Sequence, residues 1–115
     1  MSRLLLLAAM AALLAGCTVV PPPLYRWGSY EELVYASYAA PDSVSAATQV
    51  DALERDYQEA RASNQRMPPG WHAHLGYLYF QLGKLDQAQQ SFLTEKANFP
   101  ESAVLMDRLL ANIRK

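Results

Sequence analysis

The side chains able to do chemistry are few and widely spaced. Cys17 is the only thiol in the chain, so it can close no disulfide within one molecule, and no second Cys or nearby His completes a metal site with it. His72 and His74 stand two residues apart. On a helix that spacing sets them about 200° from one another, on opposite faces, where they cannot share a metal. One is expected to pack among apolar neighbours and the other to face water. Glu31 and Glu32 are adjacent, and neighbouring helix positions diverge, so they do not form an acid/base pair. Glu32, three residues after Ser29, fits a capping box at a helix start instead. No Ser, His and Asp set carries a nucleophile motif, and nothing places a base within reach of a nucleophile. The expectation is a protein that is not an enzyme, with no catalytic residue, no metal site and no cofactor.

Composition narrows the remaining choices. The 115 residues are 51% hydrophobic and 18% charged, with ten Lys+Arg against eleven Asp+Glu and a formal net charge of −1. That is the arithmetic of one small domain, and without a basic stripe nucleic acid is excluded as a partner. Aromatic residues carry more information. Tyr25, Trp27, Tyr30, Tyr35 and Tyr38 crowd one short stretch, and aromatic side chains bury much area at little entropy cost, which enriches them at interfaces. Tyr30, Leu33, Val34 and Tyr38 are expected to pack a helix onto its successor, which leaves Trp27 and Tyr35 facing outward.

The N-terminus has its own organisation. Arg3 precedes an unbroken apolar run, Leu4 to Leu14, shorter than the roughly 20 residues that a membrane-spanning helix needs. The run ends in Leu14-Ala15-Gly16-Cys17, which resembles the lipobox of bacterial lipoproteins. The resemblance implies that residues 1–16 are a lipoprotein signal peptide and that the Cys17 thiol receives the diacylglycerol thioether. It also implies that Thr18, in place of the aspartate that favours inner-membrane retention, sends the protein to the outer membrane, lipid-anchored and facing the periplasm. Residues 17–24 form a tether in which Pro21, Pro22 and Pro23 impose extended geometry at about 3.1 Å per residue, so that the six residues Thr18 to Pro23 reach only about 20 Å.

Residues 25–115 are expected to fold as one all-α domain. Capping and periodicity predict helices over about 30–39 and 43–64, the second with Val50, Leu53, Tyr57 and Ala60 on one stripe. From Trp71 to Pro100, the residues Leu75, Gly76, Tyr79, Gly83, Ala88, Phe92 and Pro100 fall at intervals that resemble a 34-residue tetratricopeptide repeat. Gly76 and Ala88 are small enough for two helices to close, Leu75, Tyr79 and Phe92 fill the seam, and Pro100 stops the second helix. His72 and Glu95 depart from the pattern. A capping helix follows over 103–113. The expected architecture is a short antiparallel helical-hairpin array of about one and a half repeats plus that cap. Such arrays bind partners on the side formed by their first helices. This adds Trp71, His74 and Tyr77, with Asp107 or Arg108, to Trp27 and Tyr35 as the candidate partner surface.

Three segments, Tyr25 to Glu31, Pro68 to Tyr79 and Phe99 to Ser102, together resemble a family of short uncharacterised bacterial lipoproteins with a tetratricopeptide-like domain. The resemblance implies association with a lipoprotein like the curli-secretion channel component and with a further small lipoprotein. The function expected on these grounds is a non-catalytic protein-interaction adaptor in an envelope assembly or secretion complex. A regulator of peptidoglycan synthesis or hydrolysis is the alternative. Because the array falls short of three full units, self-association into a homo-oligomer is a further expectation.

Overall fold

Local sequence marks where each helix starts and stops in the computed structural model, which describes residues 1–3, 10 and 19–115. Cys17 and nearly all of the apolar run that precedes it lie outside the described residues, so the signal and acylation readings stand on sequence. From Tyr30 onward there are five α-helices: α1 (Tyr30–Ala39), α2 (Ala46–Ala62), α3 (Trp71–Gln81), α4 (Leu85–Asn98) and α5 (Ala103–Ile113), the last entered through a 3-10 turn at Pro100–Ser102. The described residues contain no β-strand, and the chain is a small all-α fold. No described helix is long and apolar enough to cross a membrane.

Helix α2 begins later than residue 43 because Ser45 is its cap. The Ser45 hydroxyl accepts the Thr48 N–H at 3.1 Å, meeting one of the donors that a helix start leaves free. It ends two residues before Asn64, whose φ of 53° turns the chain away. Val50, Leu53 and Ala60 are buried along its stripe, and Tyr57 packs against them. Two polar residues, Gln49 and Asp56, share that buried face.

The hairpin of α3 and α4 closes where its side chains are smallest. A Cβ at Gly76 would lie 2.6 Å from the Phe92 ring and 3.1 Å from the Ser91 Cβ, so the ring occupies the space that a methyl group would need. Ala88 is fully buried in the same hairpin. Trp71, Phe92, Leu53 and Met106 are the large, fully buried side chains around which the helices gather. Helix α5 closes this core with Met106 and Leu110 and leaves Val104 and Leu105 outside.

The start of α1 differs from the capping box read in the sequence. The Ser29 side chain makes no cap hydrogen bond. In a capping box the Ser29 amide would donate to Glu32; here it donates to Asp56 Oδ2 on α2 at 2.7 Å. Gly28 makes this possible: its φ is 51°, and a Cβ there would meet the Asp56 carboxyl at 2.4 Å. Helix α1 also presents a narrower stripe than expected. Leu33 is its one buried residue, Tyr30 packs beside it, and Tyr38 is 85% exposed. The inward face is therefore Tyr30 and Leu33 with Val34 and Ala36 half-buried beside them, and it does not extend to Tyr38.

Gly76→Ala should lower the free energy of unfolding by about 1–3 kcal/mol through overpacking against Phe92. Gln87→Ala, at an exposed position on the facing helix, should stay within about 0.5 kcal/mol. Urea denaturation followed by circular dichroism checks both.

Candidate functional site

The corner between α2 and α3 determines where the candidate residues point. Met67 and Pro68 are buried there, and the Gly70 N–H donates to Glu95 Oε1 on α4 at 2.7 Å. Glu95, only 2% exposed, is one of the two residues that depart from the repeat pattern, and this bond is its structural role. The N-terminal segment joins the same corner. Arg26 N–H donates to Arg66 O at 2.8 Å, Tyr25 pairs with Arg66 in an isolated bridge, and the Tyr25 ring meets Phe99 edge-on at 6.2 Å.

The first turn of α3 consequently winds inward. Trp71, assigned by sequence to the partner surface, is fully buried, with the Tyr57 ring stacked on it at 5.6 Å and His72 edge-on at 4.8 Å. That assignment is corrected: a residue following directly on the buried corner enters the core. The expectation that one histidine faces water is corrected as well. His72 is buried, and burial lowers its pKa from 6.5 to about 4. His74 is half-buried against the Tyr30 ring at 5.9 Å, and burial lowers its pKa too. Tyr30 lies between His74 and the corner; burial first, then the Glu95 carboxyl and Tyr38, raise its pKa.

The other named residues separate into two places. Trp27 is partly exposed and stacks on Tyr30 at 6.3 Å, while Tyr35 is 73% exposed on α1. His74 and Tyr77 line a groove of about 750 Å³ between α1, the loop after it and α3. Its wall includes Val34, Tyr38 and Gln81, and its floor holds Gln49. Trp27, Tyr35 and Trp71 do not line this groove. Gln49 Nε2 donates to Val44 O at 3.0 Å. Its Oε1 and the His74 Nε2 are both buried without a protein hydrogen-bond partner. With His74 neutral at pH 7, Asp42 is the one charged residue lining the groove. Such a lining offers hydrogen bonds and aromatic surface but no acid/base pair. Sequence reasoning overlooked Tyr38 and Gln49. The indication was present for Gln49, a polar residue at a stripe position of α2.

A second groove, of about 1040 Å³, lies on a different surface, walled by α2 and α4 with α3 as its floor. Asp51, Glu54 and Glu59 come from α2 and Asp86 from α4, against one lining cation, Arg55. Tyr79 donates its hydroxyl to Glu54; burial, and then that bond, raise the Tyr79 pKa. Glu59 is ion-paired with Arg26. Asp107 and Arg108 lie on α5, outside both grooves, with Asp107 ion-paired to Lys96 at 2.7 Å. Among the described residues no three His, Cys, Asp or Glu side chains gather in a way that could hold a metal ion.

Both grooves fall within residues 24–109, which match the family described as a domain of unknown function, DUF4810. The chain belongs to that family. The DUF4810 match begins after the three prolines and extends into α5, so it takes in the whole α1–α4 assembly. No curated protein and no solved structure matches the chain.

His72 makes stability depend on pH, with a sign that follows from its lowered pKa. The unfolded chain takes up the imidazole proton near pH 6.5, while the folded chain resists it until about pH 4. Its contribution is therefore full above pH 6.5 and is lost as pH falls toward 4, a change on the order of 3 kcal/mol. Urea midpoints measured between pH 7 and 5 should fall steeply for the natural chain and much less for His72→Phe.

Proposed function

We propose that this protein is an acylated outer-membrane lipoprotein that acts without catalysis, as an adaptor whose α1–α3 groove holds a peptide segment of another envelope protein. One observation carries the reading: Gln49 Oε1 and His74 Nε2 are buried without partners at the floor of a groove rimmed by Tyr38 and Tyr77. A buried polar atom without a partner costs about 1–3 kcal/mol. A segment bringing its own N–H and C=O groups recovers that cost, and the tyrosine rims supply the apolar area that interfaces use. The tetratricopeptide resemblance supports the same face, since α3 is the first helix of the α3–α4 hairpin.

The membrane part of the proposal is supported by the sequence Leu14-Ala15-Gly16-Cys17 and the apolar run before it. A thioether-linked lipid there places the groove close to the membrane, because the three-proline tether is short. The resemblance to lipoproteins that accompany a secretion-channel-like lipoprotein directs the adaptor to an assembly or secretion complex.

A photo-crosslinker at Tyr77 of the full chain, followed by mass spectrometry, tests the groove in cells. The expected result is one dominant envelope protein, lost when Tyr38→Ala removes a rim, at a cost of about 1–2 kcal/mol in binding. Capture of the same scattered proteins from Tyr77 and from exposed Gln87 would refute it, and specific capture of cell-wall enzymes would favour the regulator of peptidoglycan. Cys17→Ser should leave an unprocessed or soluble chain; a membrane-bound chain with its signal removed would contradict acylation.

A further inference from the structure

The second groove differs from the first in charge, and the chain carries a segment that matches it. Its walls set Asp51, Glu54, Glu59 and Asp86 against Arg55. Not all of that charge is free. Glu59 is ion-paired with Arg26 at one end, and Lys84 lies 5.9 Å over the Tyr79 ring. Glu54 accepts the Tyr79 hydroxyl but has no cationic partner, and Asp51 and Asp86 take part in no ion pair among the described residues. Between an acidic α2 wall and an α4 wall that carries Asp86, the floor is mainly apolar, with Leu75, Trp71 and the Tyr79 ring beside His72. A groove with an apolar floor and acidic rims suits a helix with apolar residues on one face and cations beside them.

Helix α5 is such a segment. Its inner face, Met106 and Leu110, is committed to the core. Its outer face exposes Val104 by 70% and Leu105 by 57%, apolar surface left open by the described residues. Arg108 follows Leu105 by three residues, on the same face. Arg114 and Lys115 extend the positive charge past the helix end. Among the described residues none of these three cations takes part in an ion pair, whereas the helix's one acid, Asp107, is paired with Lys96. Apolar surface and unpaired cations thus occur on one helix, while an apolar floor and unpaired carboxylates occur in one groove.

We infer that α5 of one molecule docks in the α2–α4 groove of a second copy, with Leu105 on the apolar floor and Arg108, Arg114 and Lys115 toward Asp51, Glu54 and Asp86. The two patches are different surfaces of the same chain, so the contact is heterologous. It closes into a ring or continues as an open array according to the rotation between copies. It leaves the α1–α3 groove uncovered and does not rest on the adaptor reading. An array of this kind also gives the short helical stack the neighbours that longer repeat proteins contain within one chain.

Two differently tagged copies of the full chain, co-expressed, test the contact. One carries a photo-reactive residue at Leu105, and crosslinked peptides are mapped by mass spectrometry in washed membranes. The expected crosslinks fall in the other copy within residues 71–79 on the floor, or 51–59 and 86–94 on the walls, and weaken as salt is raised. Reversing charge with Arg108→Glu and Arg114→Glu should reduce the yield about ten-fold, and Asp51→Arg with Asp86→Arg in the other copy should restore it. All four positions are exposed, and unchanged thermal melting confirms that the variants fold. Absence of crosslinks between copies, crosslinks only to other proteins, or a yield indifferent to both charge reversals would overturn the inference.

Discussion

A buried carboxyl group holding one backbone amide is the constraint on which the rest depends. Glu95 is turned inward from α4, and its Oε1 accepts the Gly70 N–H at the corner that begins α3. Burying such a group is unfavourable unless it finds donors; the Gly70 amide satisfies Oε1, while Oε2 is buried without a partner among the described residues. The same residue works through its backbone as well, since Glu95 O accepts the Phe99 N–H at 2.8 Å and finishes the last turn of α4. One position thus ties the beginning of the hairpin to its end. With the corner fixed, Trp71 can only enter the core, His72 follows it, and the next outward position of α3 is Tyr77.

Both grooves are consequences of that geometry. Helix α3 is apolar on most of its circumference and is enclosed by α2 and α4, with α1 beside it. Where α1 approaches, it meets α3 with a ten-residue helix that buries Leu33 alone, so the seam stays open and polar groups remain on its floor. Where α2 and α4 rise past α3, their polar faces become walls, and the acids of the α2 surface line one of them. The chain's near-neutral total conceals this. Asp51, Glu54, Glu59 and Asp86 share one groove with a single cation, Arg55, while Arg108, Arg114 and Lys115 lie on or just past α5, a distribution that net charge cannot report.

Much of this was legible in the residues, and the division is physical. Helix limits depend on neighbours a few positions away, so Tyr30–Ala39 and Ala103–Ile113 fall where periodicity and punctuation put them. The hairpin was legible for the same reason: a glycine facing a large ring is a pairing that the spacing of Gly76 and Phe92 already contains. What escaped were matters of distance along the chain. Ser29 gives its amide to Asp56 rather than Glu32 because a residue 27 positions away arrives in better geometry. Trp71 was assigned outward because nothing local announces that the corner before it is buried. Gln49 and Asp56 were the visible exceptions, polar residues interrupting an apolar stripe, and each proved to have a specific environment.

The attachment of the N-terminal segment has a mechanical consequence. Residues 19–24 are exposed, so a pull on the leading end meets nothing until Tyr25. There the load passes into the Arg26–Arg66 backbone bond and the Arg26–Glu59 ion pair, then into the Ser29–Asp56 bond. These fastenings lie in series, all on α2 or the corner that follows it. Apart from the Tyr25 ring against Phe99 at the end of α4, the α3–α4 hairpin stays unloaded while they hold. Force on the leader is therefore carried into α2 and the corner after it, and α1, the helix that buries Leu33 alone, takes load only once the fastenings at Arg26 and Ser29 have given way.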